Sequence, residues 1–180
     1  MLTPPPLFLH FLSLLPLQPI DGRVYLQAEQ TPYGISKVRA LDVADTNVSN
    51  RKVCIIDTGF DINHPDLTSN TEIVTGYTGE NSDDTGVWST DGHGHGTHVA
   101  GTIAAIGNND EGVVGVNRNG QLKLHIVKVF NNNGDWAWRS SLIAAVEECV
   151  DSGSDVVNMS LGGGGFSDVE YDAYKRIATV

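Results

Sequence analysis

Lys52-Val-Cys-Ile-Ile-Asp-Thr-Gly59 is an unbroken apolar run, rich in β-branched residues, that stops at an acid and a glycine. A strand with no polar alternation is covered on both faces, which is how parallel sheets bury their strands. An acid at the carboxyl end of such a strand stands where open α/β sheets place their sites. Residues 121–130 and 155–161, rich in Leu, Ile and Val, read as further strands. Between the strands the apolar period becomes helical. Val99, Ala100, Ile103, Ala104 and Ile106 predict a helix from His95 to about Ile106, stopped by the glycine-bounded loop 107–112. Ser140 or Ser141 starts another that runs to Val150, with Leu142, Val146, Cys149 and Val150 on one face. Residues 168–177 form a last helix, and 71–88 hold at most one short strand. Strands alternating with helices imply an α/β fold: a three-layer, doubly wound, mostly parallel sheet with helices on both faces.

A chain of 180 residues with 40% hydrophobic residues and 20 glycines suits one turn-rich domain. Its net charge of −11, from 22 acids against 11 bases, argues against nucleic acid and anionic membranes as partners. Residues 1–19 are an apolar leader broken by Pro4, Pro5, Pro6, Pro16 and Pro19. They are too short for a stable membrane span and read as either disordered or signal-like, since 7–15 resembles a signal core without the preceding basic residues. Cys54 and Cys149 permit either one disulfide or two buried thiols.

The second constraint is Asp91-Gly-His-Gly-His-Gly-Thr-His98. Histidine titrates nearest neutrality and is the commonest general base. Gly94, Gly96 and Thr97 leave little bulk around His95, which would sit at a helix start on the edge of the core. His98, one turn further, reads as a buried supporting histidine.

Asp57-Thr-Gly59, His95-Gly-Thr-His-Val-Ala-Gly-Thr102 and Asp155-Val-Val-Asn-Met-Ser-Leu-Gly-Gly163, in this order, resemble blocks of the subtilisin-like serine peptidase (subtilase) family. The resemblance implies a serine endopeptidase acting on peptides or proteins. Asp57 would orient the imidazole and His95 would be the base that takes a serine's proton. It also implies that a peptide binds as an added strand between Gly134-Asp135-Trp136 and Ser160-Leu161-Gly162. Trp136 and Trp138 either flank a pocket or cover core. A structural calcium site is implied at Asp66 and Asn109, with the carbonyls of Ile106, Glu111 and Val113 and either Glu29 or Gln30. The loop is one residue longer than the family's commonest pattern, so Asn108 and Asp110 remain alternatives to Asn109. Residues 20–28 resemble the tail of a propeptide, and 29–180 the first part of a catalytic domain. The resemblance implies a secreted, extracellular enzyme, and the complete enzyme is expected to be a monomer.

The sequence ends at Val180, before the family's oxyanion asparagine and the Gly-Thr-Ser-Met block that carries the nucleophile. The 180 residues alone are therefore expected to be inactive; in subtilisin itself, loss of the serine costs about 10⁶ in turnover. Two rival readings are a non-enzymatic fragment or pseudoprotease, and a metal hydrolase using His93, His95 and His98. The latter rests on likeness to a His-x-His-x-Asp-His signature in which Thr97 replaces the aspartate.

Overall fold

The computed structural model describes residues 28–78, 85–135, 139–163, 165 and 167–178, with the side chains of 139–141 excepted. The expectations for residues 1–27, Trp136 and Trp138 lie outside them. Along the chain the elements are α1 (Tyr33–Lys37), a 3-10 turn (Ala40–Asp42), β1 (Lys52–Asp57), β2 (Val74–Thr78), α2 (His95–Ala104), β3 (Lys123–Lys128), α3 (Arg139–Asp151), β4 (Val156–Asn158) and α4 (Asp168–Ile177).

The strands form one sheet in the order β2-β3-β1-β4, and every pair is parallel. β1 is interior, as its apolar run requires, and its alternate residues face opposite layers. Ile55 joins Leu124, Ile126, Val74 and Phe60 under Ala100 and Ala104 of α2. Cys54 and Ile56 join Val127, Leu142, Ala145, Val146 and Cys149 under α3. This is the helix-covered parallel sheet that the alternation of elements implied.

The two helices reach the sheet differently. α2 approaches through missing side chains: a Cβ on Gly96 would lie 2.2 Å from the Gly59 carbonyl oxygen. Just beyond α2, a Cβ on Gly115 would lie 2.5 Å from the Ala105 nitrogen. α3 is tied covalently by a Cys54–Cys149 disulfide, with Cα atoms 5.6 Å apart and both residues fully buried. The question left open by the two cysteines is answered as a bridge.

Several sequence-based boundaries are corrected. α2 ends at Ala104, and Ala105 is already extended at φ −58°, ψ 136°. Tertiary bonds pull the chain out of the helix before Gly107: Ile106 N–H donates to Asp66 O at 3.0 Å and Gly107 N–H to Arg118 O at 2.9 Å. The strand expected over 155–161 shortens to Val156–Asn158; just before its start the Asp155 carboxylate accepts from the Lys52 N–H at 2.8 Å and from Arg51 at 2.9 Å. Val150 is exposed, and Ala145 takes its place in the buried face of α3. His98 is exposed rather than buried, since it projects from the side of α2 turned away from the sheet. α1 had no counterpart in the sequence reading.

Candidate active site

β1 ends at Asp57 and α2 begins at His95, so the sheet and the helix deliver an acid and an imidazole to one corner. Asp57 Oδ1 lies 2.7 Å from His95 Nδ1. The Asp57 side chain is 2% exposed, whereas the His95 side chain is 44% exposed. The same Oδ1 accepts the Thr58 N–H at 2.7 Å, which fixes the carboxylate independently of the histidine. Gly94, the residue before the helix, has φ 90°, a left-handed turn that glycine adopts without strain. With Nδ1 engaged, Nε2 is the ring nitrogen left for a substrate or a nucleophile.

Asp91 organises the start of α2. Its Oδ1 accepts from the Thr58 hydroxyl and the Gly94 N–H, both at 2.8 Å. Its Oδ2 accepts from the Thr97 N–H at 2.8 Å and the Thr97 hydroxyl at 2.6 Å. Burial alone would raise this carboxyl's pKa. The Thr97, Gly94 and Thr58 donors overcome that and hold it below the usual carboxylate value of 3.8. The Thr58 hydroxyl also accepts the Gly96 N–H at 2.9 Å, which closes a ring of bonds between the two halves of the site. Sequence reasoning named Asp91 only as the opening of its motif. An acid just before a glycine-rich helix start was the available signal.

A cavity of about 190 Å³ opens beside the pair, lined by Asp57, Thr58, His93, His95, Phe130, Gly134, Ser160, Leu161 and Gly162. The structure thus gathers Gly134, Ser160, Leu161 and Gly162 around Asp57 and His95. Asp135 is not on the wall; it is exposed, its side chain accepts from Asn131 Nδ2 at 3.1 Å, and its N–H donates to Asn131 Oδ1 at 3.0 Å. It holds the turn that presents Gly134. His93 was missed as a wall residue; its ring lies 6.2 Å from that of His95, edge to face. His98 faces a different, larger cavity with Pro32, Ile35 and His64. The three imidazoles therefore do not converge, and the arrangement needed by the rival metal hydrolase is not formed.

The Asp66 loop forms a second centre. Asp66 is 2% exposed. Its Oδ1 accepts from Asn109 Nδ2 at 3.0 Å and its Oδ2 from the Val113 N–H at 2.8 Å. Of the three candidate side chains, Asn109 is the one that faces Asp66; Asn108 and Asp110 flank it, each at φ 62°. The Glu111 N–H donates to Asn109 Oδ1 at 3.0 Å, and the Asn109 N–H donates to Glu29 Oε1 at 3.3 Å. Gln30 bridges to Val113, which ties residues 29–30 to the loop. Among the described residues no cationic side chain lies within ion-pair distance of Asp66, and no group of three His, Cys, Asp or Glu is placed to hold a metal.

This geometry meets its parallel in known proteins. A model of the subtilase family matches residues 49–179. The chain belongs to the subtilase family. It is 41% identical over 138 residues to subtilisin DY of Bacillus licheniformis, covering 76% of this chain and 46% of that protein. It is 37% identical over 142 residues to an intracellular serine protease of Paenibacillus polymyxa, covering 76% of this chain and 41% of that protein. The crystal structure of a psychrophilic subtilisin-like protease from Pseudoalteromonas sp. AS-11 superposes with a TM-score of 0.75 at 48% identity. That match covers 84% of this chain and 34% of the other. The subtilase chain described here thus spans less than half the length of the relatives it matches.

Proposed function

We propose that Asp57 and His95 are the acid and base of a subtilisin-type serine endopeptidase. The observation that carries this reading is the 2.7 Å contact between Asp57 Oδ1 and His95 Nδ1 at the mouth of the cavity lined by Gly134 and Ser160, Leu161 and Gly162. Asp57 fixes the tautomer in which Nε2 accepts the nucleophile's proton, then stabilises the imidazolium that forms. The segments around Gly134 and 160–162 would bind an extended peptide between them by main-chain bonds. In this family the serine stands in a Gly-Thr-Ser-Met block that is not among these 180 residues. A chain running through such a block is expected to cleave peptides as a monomer and to take up a serine-directed fluorophosphonate at one site. His95→Ala should lower its kcat by about 10⁶, the magnitude for subtilisin itself. Turnover unchanged in that variant would sink the reading. The 180 residues by themselves are expected to take up no label.

The Asp66 loop is proposed to hold calcium. A buried carboxylate with neutral donors and no counter-ion suits a hard cation, since buried charges are paired or bind metal. Asp66 and Asn109 would hold it, with the carbonyls of Ile106, Glu111 and Val113 and the Glu29 carboxylate, and its charge would offset that of the acids. A chelator is expected to lower Tm and added calcium to restore it; a Tm indifferent to both would remove the proposal. Secretion is proposed from the Cys54–Cys149 bridge, because disulfides persist in oxidising compartments. The name of the Paenibacillus relative shows that family membership alone does not fix the compartment.

A further inference from the structure

Lys128 ends β3 and is the register partner of Asp57 across the sheet. It is a charged residue 2% exposed, in an otherwise apolar strand end. Its Nζ donates to the Thr58 carbonyl, to the Thr90 carbonyl at 3.1 Å and to Asn132 Oδ1 at 3.2 Å. An ammonium has three protons and no acceptor, so these three oxygens use it completely. Among the described residues no carboxylate lies within ion-pair distance of Nζ. Burial pushes the amine's pKa down, and the charge of Asp91 pulls it part of the way back. Filling space would not need an amine, since an apolar chain of the same length would fill it without that desolvation cost.

The three oxygens stand on three different segments. Thr58 follows Asp57. Thr90 precedes Asp91, whose carboxylate holds the first turn of α2 and so the root of His95. Asn132 lies in the turn that leads to Gly134, and its Oδ1 also accepts the Gly92 N–H at 3.1 Å. The close approach is made possible at Gly59, where a Cβ would lie 2.3 Å from the Thr90 oxygen and 3.0 Å from Nζ.

We propose that Lys128 is a positioning residue for the Asp57–His95 pair. Its ammonium fixes the strand end that presents the acid, the loop that presents the imidazole and the turn that carries Gly134 in one frame. The inference rests on the reading of that pair as acid and base.

Proton NMR of the full 180-residue chain tests both and separates them. The His95 Nδ1 proton, held by Asp57, should give a far-downfield resonance that disappears in Asp57→Asn. Its absence from the wild-type chain would count against the acid–base reading, whatever Lys128 does. With the resonance present, Lys128→Met is expected to keep the far-UV circular dichroism and cooperative unfolding, yet to lose or shift the resonance and move the His95 titration. Lys128→Arg, which keeps the charge, should restore it in part. If Lys128→Met fails to fold, Asn132→Ala removes one of the three acceptors from an exposed position and should broaden or shift the same resonance. A folded Lys128→Met with the wild-type resonance and His95 titration overturns the proposal. So does an unfolded Lys128→Met together with an Asn132→Ala that leaves both unchanged.

Discussion

The two faces of the sheet are held by opposite means. The α2 face depends on contact: Gly96 and Gly115 bring backbone against backbone, and Asp91 stitches the helix start to the strand end. The α3 face depends on a covalent bond, with Cys54 of β1 joined to Cys149. The site stands on the contact face. A helix that must place an imidazole within hydrogen-bond reach of a carboxylate needs a seat with little tolerance. A helix that only covers the sheet can be tied at one point.

The contrast predicts that damage to the first face disturbs the site and damage to the second costs stability alone. The largest effect is expected from Asp57→Asn in a catalytically complete chain, about 10⁴ in kcat by analogy with serine proteases, which is about 5.5 kcal/mol. Its unfolding midpoint should barely move, and a kcat within tenfold of wild type would break the comparison. Next is the double variant Cys54→Ala, Cys149→Ala. The bridge closes a separation of 95 residues. Loop-closure entropy puts its loss at about 4.7 kcal/mol in chemical unfolding. The His95 titration should stay as in wild type; a shift would show that the bridged face also sets the site. Gly96→Ala comes third, with about 2 kcal/mol of destabilisation from overpacking. Here the His95 titration must change, because α2 has to back away from Gly59.

The smallest effects lie in the pH dependence, one on each face. Asp91 has a folded pKa below the ordinary carboxylate value of 3.8, so its stabilisation is present above that value and is lost as pH falls below it. Asp91→Asn should flatten the stability curve below pH about 4. On the α3 face His125 is buried beside Thr75 and Glu148. Nδ1 lies 2.9 Å from the Thr75 hydroxyl. Nε2 lies 3.3 Å from Glu148 Oε1, without hydrogen-bond alignment. Burial lowers its pKa from 6.5, and the Glu148 charge opposes that shift. The neutral ring therefore adds stability that is present above 6.5 and fades as pH falls. His125→Gln should remove that fade in denaturant midpoints between pH about 7 and 5. Midpoints that fall as in wild type would show that Glu148 cancels the burial.

What the sequence revealed follows from where the causes lie. β1 and α4 were legible because their causes are local. An apolar run is a buried strand, and Ser167, which accepts the Glu170 N–H at 3.3 Å, caps the helix it precedes. Asp57 and His95 were legible as blocks. The end of α2 was not, because a bond from Ile106 to a carbonyl far away in sequence cuts the helix short. α1 has five residues, too few for a periodic signal. Lys128 gave a faint signal, a charge at an apolar strand end, but its purpose depends on three oxygens that only the fold assembles. His98 was misread because position along a helix does not say which side has a neighbour.

Asp57 lies three positions beyond the bridged Cys54 on the same strand, and the sulfurs are sealed from solvent. A thiol reagent has no route to them while the sheet is closed. Its rate of attack is then a clock for whole-domain opening, read at the same strand that carries the acid. Oxidation during biosynthesis must likewise come no later than closure of that strand, which couples maturation of the protein to the redox state in which it first folds.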